Sequence, residues 1–288
     1  MALRKWVLIQ LLATLLLAFN AAAAAAETTL ERIKSSGQIN LGYRADQTPL
    51  SFDKGSGTPA GYSVELCQLI AAAVRDNVGR SLKVNYVPVT AESRFDAIQK
   101  GEIDILCGAT TKTLSRAEIV SFTQPTFVTG GSLLSHNDAA VIKFNNLAGK
   151  KVAVVSNTTT IDALNEALER SNISAEVIPV ATTSAGMDML EKRQVHAFAA
   201  DQVVLIGQVI ARGGRQRFSL SDDLFSFEPF ALAVQRGDAD FQLVADRVLS
   251  ELYRGRQILQ IYGKWFGAYG KQLPTALEAM YQLNATPR

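Results

Sequence analysis

Short apolar runs and segments of helical period alternate along this chain, and the alternation is played twice. The runs at 39–43, 84–89 and 103–107 are short and apolar, as strands covered on both faces should be. Between the first two, Leu66, Leu69, Ile70, Ala73 and Val74 recur at helical spacing, in a helix that opens at Gly61-Tyr62 with Ser63 as its cap. The stretch 94–100 reads as a second helix, with Phe95 and Ile98 on one face. Strand, helix, strand, helix, strand is the signature of a parallel α/β sheet. A short helix precedes it, where Thr28 and Glu31 have capping-box spacing and Gly37 fits the stop.

Thr123-Gln124-Pro125-Thr126 breaks the rhythm, and Phe127 to Leu134 reads as an extended crossing segment. A second series follows, with strands at 151–155, 177–180 and 195–199 and helices after 160, at 187–192 and at 203–211. The stretch 225–234 is extended again and fits a return crossing. Phe241, Val244, Val248 and Leu252 then line one helical face, and Ile258, Ile261, Trp265 and Phe266 another; the last stretch gives no clear signal. Two α/β units joined by two extended crossings predict a two-lobed clamp. Lobe 1 is expected over 27–131 plus 229–288 and lobe 2 over 132–228, each a mixed, mainly parallel sheet flanked by helices.

Ligands of such sheets bind beyond the carboxyl ends of the strands. Polar turns stand at three such ends and an Asp at a fourth: Arg44 after Tyr43, Gly108 to Thr111 after Cys107, Thr158 and Thr159 after Val155, and Asp201. Alone, the stretch 101–116 reads as a strand running into a polar turn, with Arg116 solvated opposite Glu118. Set among the other ends it offers a cation, hydroxyls and free N–H groups, which together suit a carboxylate. Arg44 and Arg94 have solvated surface residues as their competing reading, and Asp201 has a helix cap.

Residues 1–26 have the form of an export signal: Arg4 and Lys5, an apolar centre at 6–19, then small residues to Ala26. The apolar run is short for a membrane span and lacks a basic flank behind it. Of 29 Lys and Arg, these two leave with the signal, so the remainder balances the 27 Asp and Glu. A neutral mature chain gives no reason to expect nucleic acid or an anionic membrane as partner. Cys67 and Cys107 either form a disulfide, as an exported chain allows, or pack as small hydrophobes. His196 reads as a packed strand residue, and with His136 and the two Cys it makes no metal-ligand spacing. No cofactor is expected.

Gly61-Tyr62-Ser63-Val64-Glu65-Leu66 resembles the signature of the polar amino-acid-binding proteins of bacterial ABC importers, solute-binding family 3. The stretches 101–116 and 149–160 and the late Lys264-Trp265-Phe266 match the same pattern, so the resemblance covers nearly the whole mature chain, with the glutamate/aspartate-binding branch most similar. It implies a type II-like periplasmic-binding fold that closes on an amino acid and docks on an inner-membrane ABC permease. A periplasmic monomer without catalytic residues is expected. It also implies roles. Arg116 would grip the ligand α-carboxylate in a forked pair, with donors from Thr111 and the backbone at Gly108 and Ala109. Thr158 and Thr159 would hold it from the other lobe, Asp201 would take the α-ammonium, and Arg44 and Arg94 would face the ligand side chain. Neither Gln47 nor Ala91 is aromatic, where many relatives stack a ring, which favours a compact polar ligand over a flat cationic one. Small hydroxyl residues would be expected where Ala91 and Ala109 stand, and a His where Thr183 reads the side chain. Glutamate, aspartate, or an amide or oxidised-sulfur analogue therefore stay open. The rival readings are a cleft enzyme of the cyclohexadienyl dehydratase kind, for which Glu92 is the nearest general acid by sequence, and a periplasmic amino-acid sensor.

Overall fold

The repeated alternation folds as two five-stranded sheets built to one plan, in a computed structural model that describes residues 27–55, 57–267 and 272–287. The expected export signal lies outside the described residues. Helix α1 (Thr29–Ser36) leads into β1 (Gln38–Tyr43), then a small three-stranded sheet of β2 (Asp46–Gln47), β3 (Ser51–Asp53) and β4 (Pro59–Ala60). There follow α2 (Tyr62–Val78), β5 (Lys83–Pro88), α3 (Arg94–Gln99), β6 (Ile105–Cys107), α4 (Leu114–Ala117) and β7 (Val120–Thr129). The second unit holds β8 (Gly131–His136), β9 (Lys151–Val155), α5 (Thr159–Arg170), β10 (Glu176–Val180), α6 (Thr183–Glu191), β11 (Ala197–Asp201), α7 (Gln202–Ala211) and β12 (Phe218–Leu220). Strand β13 (Glu228–Gln235) and helices α8 (Ala239–Arg254), α9 (Gln257–Phe266) and α10 (Thr275–Leu283) complete the chain.

The first sheet has the order β5-β1-β6-β13-β7, and the second β10-β9-β11-β8-β12. In each, four strands run one way and a single strand, β13 in the first and β8 in the second, runs against them. Successive residues of the central strands enter different cores. Ile105 and Cys107 pack with α2, α8 and α9, while Leu106 packs with Ala97, Ile98 and Phe122. Val152 and Val154 face one side of the second sheet, and Ala153 and Val155 the other. Cover on both faces is why these strands lack a polar alternation.

The chain passes from sheet to sheet between β7 and β8 and returns before β13. The two passages lie together: Gly131 N–H donates to Ser226 Oγ (2.9 Å), and Phe225 N–H to the Gly131 carbonyl (2.9 Å). A Cβ at Gly130 would stand 2.4 Å from the Ser226 carbonyl oxygen, so the close approach requires glycine there.

Several expectations need correction. Ser63 does not cap α2; Gly61 holds that place, and the buried Ser63 hydroxyl donates to the Gly108 carbonyl (3.2 Å). Leu69 faces outward, leaving Leu66, Ile70 and Val74 as the buried stripe. His196 is exposed just ahead of β11, not packed within it; its Nδ1 accepts from Lys151 N–H (3.0 Å). The uninformative tail contains α10, which buries Leu277 and Tyr281. The capping box at Thr28 and Glu31 and the stop at Gly37 form as read. Cys67 and Cys107 are joined as a disulfide, tying α2 to the end of β6.

Candidate functional site

The carboxyl ends of β1, β6, β9 and β11 turn toward the junction of the two sheets, and each delivers one or more of the predicted residues there. Arg44 follows β1. It is 4% exposed, and its Nη2 stands 3.6 Å from Asp46 Oδ1. Arg94 opens α3, beyond β5, and is 3% exposed. Its guanidinium donates to the Ala91 carbonyl and, across the junction, to the Asn157 carbonyl (2.9 Å). Arg116, on α4, donates from Nη1 to the Thr111 carbonyl (2.9 Å). Phe95 lies under two of these cations, its ring centroid 4.5 Å from Arg94 Cζ and 5.4 Å from Arg116 Cζ.

These cations are poorly hydrated and feel one another. Burial, then the charges of Arg116 and Arg44, push the Arg94 guanidinium down to about 9. Burial also lowers Arg44 and Arg116, opposed by Asp46 for the first and by Glu228, Asp201 and Asp162 for the second. Among the described residues, the Arg94 guanidinium donates to carbonyls, and no carboxylate stands within ion-pair distance of it. A buried cation held only by carbonyl dipoles favours an incoming anion.

The acidic side is equally unsatisfied. Asp201 ends β11 at the cap position of α7, yet its side chain makes no capping bond, and its sealed Oδ1 has no hydrogen-bond partner among the described residues. Burial first, then the charge of Glu228, raise its carboxyl well above the usual carboxylate range against the pull of Arg116. A cation beside it would restore the charged form. Glu228, the first residue of β13, is 2% exposed; its Oε2 accepts from the hydroxyls of Thr111 (2.6 Å) and Thr159 (2.8 Å).

The two sheets also meet along the β2 turn. Asp46 Oδ2 accepts from Thr183 N–H (2.6 Å), at the start of α6, and the Asp46 carbonyl accepts from Gln208 Nε2 (2.8 Å) on α7. The Thr48 carbonyl lies against Gly207. Arg44, Gln47, Thr158, Thr183 and Asp201 surround a cavity of about 20 Å³, which is about the room one water needs. Thr111, Arg116, Thr159 and Glu228 line a separate cavity of about 480 Å³. An amino acid cannot enter the inner space unless the sheets first part.

The predicted residues thus gather, with differences in detail. Arg44, Thr158, Thr183 and Asp201 share the inner cavity; Thr111, Arg116 and Thr159 share the outer one. Thr158 Oγ1 donates to the Val155 carbonyl (2.7 Å) rather than capping α5. The Ala109 N–H, read as a ligand donor, is taken by Gln47 Oε1 (3.0 Å), and it is Arg44 and Gln47 that approach Gly108. Thr183 reaches the site chiefly through its backbone, on Asp46. Glu92 is exposed. Reading the sequence missed Asp46, Gln47 as a backbone acceptor, and Glu228. An acid between Phe227 and Pro229-Phe230, in an otherwise apolar crossing, was the available signal for the last. No cluster of three or more metal-ligating His, Cys, Asp or Glu side chains occurs among the described residues.

Residues 39–268 match the family described as bacterial extracellular solute-binding proteins, family 3. The chain is 32% identical over 240 residues to an L-glutamate/L-aspartate-binding protein of Pseudomonas aeruginosa, covering 83% of this chain and 80% of that one. It is 27% identical over 246 residues to a glutamate/aspartate import solute-binding protein of Escherichia coli, covering 85% and 82%. Among solved structures, an ancestral amino acid-binding protein that is a precursor of cyclohexadienyl dehydratase superposes with TM-score 0.72 at 25% identity, covering 83% of this chain and 100% of that one.

Proposed function

The chain belongs to the bacterial extracellular solute-binding proteins of family 3, and on that premise we propose that it captures a polar, acidic L-amino acid for an ABC importer. Glutamate or aspartate is the ligand class, as in the named relatives. The observation that carries the reading is the charge pattern of the cleft: three converging guanidiniums, one of them held only by carbonyls, face a buried carboxylate with an unpartnered oxygen. An acidic amino acid brings two carboxylates and one ammonium, which matches that pattern.

In this reading Arg116 and the Thr158–Thr159 end of α5 hold the α-carboxylate, and Asp201 takes the α-ammonium. Arg44 and Arg94 face the side-chain carboxylate, with Thr183 beside it. Lobe 1 comprises 27–131 and 229–288, and lobe 2 comprises 132–228. The lobes part to admit ligand and close on it through contacts absent in the open state. The closed form then docks, as a monomer, on an inner-membrane permease. Cleavage of residues 1–26 would release the chain into the periplasm.

Titration calorimetry against the twenty amino acids tests this. Heat is expected with glutamate or aspartate and not with arginine or leucine. No heat with any amino acid, together with turnover of a cyclic carboxylate such as the dehydratase kin would take, overturns it.

A further inference from the structure

Glu228 is the buried acid of the cleft to which no ligand role has been given. Its Oε1 accepts from Ser226 Oγ (2.6 Å), on the return passage, and its Oε2 from Thr111 and Thr159 (2.6 and 2.8 Å). Thr111 follows β6 of the first sheet, and Thr159 opens α5 of the second, so one carboxylate oxygen joins both halves of the molecule. The two hydroxyls are themselves 3.2 Å apart. Arg116, whose charge is favoured by Glu228, donates to the carbonyl of the same Thr111.

Arg116 and Thr159 are among the groups that the functional reading above, on which this inference rests, gives to the ligand α-carboxylate, and Thr111 is the donor that the family resemblance adds to them. A threonine hydroxyl has a single proton to donate. While Glu228 holds the protons of Thr111 and Thr159, an incoming carboxylate cannot use them. Two carboxylates forced to share one buried seat repel each other as well.

We propose that Glu228 is a built-in competitor: its carboxylate occupies the ligand-carboxylate seat, latches the two lobes together through Thr111 and Thr159, and is displaced when an amino acid arrives. Two consequences follow. Apparent affinity is reduced by the fraction of ligand-free molecules that are latched. A ligand lacking an α-carboxylate gains little, because it has nothing to exchange for the latch it must break.

The test compares wild type, Glu228→Gln and Thr159→Val by small-angle scattering without ligand and by glutamate calorimetry. Glu228→Gln keeps the size and removes the charge. It should expand the ligand-free protein and tighten glutamate binding about tenfold, the gain expected if roughly nine in ten ligand-free molecules are latched. Thr159→Val should also expand the ligand-free protein but weaken glutamate, since it removes the donor from latch and ligand alike. Weaker binding by Glu228→Gln overturns the proposal, because it makes Glu228 a ligand group. Unchanged scattering in either variant overturns it too, and Thr159→Val carries that arm alone should Glu228→Gln not fold. Absence of glutamate heat in wild type would reject the functional reading instead; the ligand-free scattering is judged independently of it.

Discussion

Gly207 separates closure of the cleft from stability of the fold. It lies within α7, where a Cβ would stand 1.9 Å from the Thr48 carbonyl oxygen and 2.6 Å from its carbon. Ordinary contacts between heavy atoms lie near 3.5 Å, so Gly207→Ala must push the β2 turn away from α7 by about 1.5 Å. That movement takes two contacts out of range: Gln208 Nε2 to the Asp46 carbonyl, and Thr183 N–H to the Asp46 carboxylate. A neutral hydrogen bond contributes about 1 kcal/mol and one to a charged group about 1.5–3 kcal/mol. Losing both costs the closed form about 2.5–4 kcal/mol, or roughly a hundred- to a thousandfold in affinity. Within the helix itself, alanine is better than glycine by about 1 kcal/mol. The variant should therefore melt no lower than wild type without ligand while binding glutamate far more weakly, with an expanded scattering profile that ligand does not contract. Wild-type affinity in the folded variant would refute the reasoning, because the β2 turn would then not be part of the closed state.

Four other outcomes are expected. Arg116→Ala should weaken every amino-acid ligand by about 3 kcal/mol, roughly 100-fold, whereas Arg94→Ala should weaken glutamate much more than glutamine; equal losses for the two in calorimetry would remove Arg94 from the side-chain pocket. Asp201 has a raised carboxyl pKa, from burial and then Glu228, so its contribution to stability is full below the unfolded value of about 3.9 and is lost as pH rises through the folded one. An ammonium partner favours the ionised form, so binding at a pH below the raised value should release a proton; calorimetry in buffers of different ionisation enthalpy reads this, and buffer-independent heat would contradict it. The Cys67–Cys107 disulfide spans a sequence separation of 40, and replacing both by Ala should lower stability to denaturant by about 4 kcal/mol on a chain-entropy account.

Much of this was legible in the sequence because the signals were local. A capping box marks α1, helical period marks α2, and unbroken apolar runs mark the central strands, since a strand covered on both faces must be apolar throughout. The candidate site residues could be grouped from the sequence because the strand ends of an α/β sheet converge whatever the details of packing. What stayed hidden depends on contacts distant in the chain. Ser63 looks like a cap, but its hydroxyl goes to Gly108, which lies 45 positions on. The Ala109 N–H looks free until Gln47 is folded against it. Glu228 is adjacent in sequence only to an apolar crossing, and its partners Thr111 and Thr159 lie 117 and 69 positions away. Helix α10 is short although mostly apolar, and what holds it is distant packing, Leu277 and Tyr281 docking on the core of the first sheet.

A crystal structure of the protein grown with glutamate tests the central claim most directly. The account predicts the α-carboxylate on Arg116 and the start of α5, the ammonium on Asp201, and the side chain toward Arg44 and Arg94, in a cleft widened beyond the present inner cavity. Glutamate seated elsewhere, or in the cleft with its ammonium away from Asp201, would contradict it.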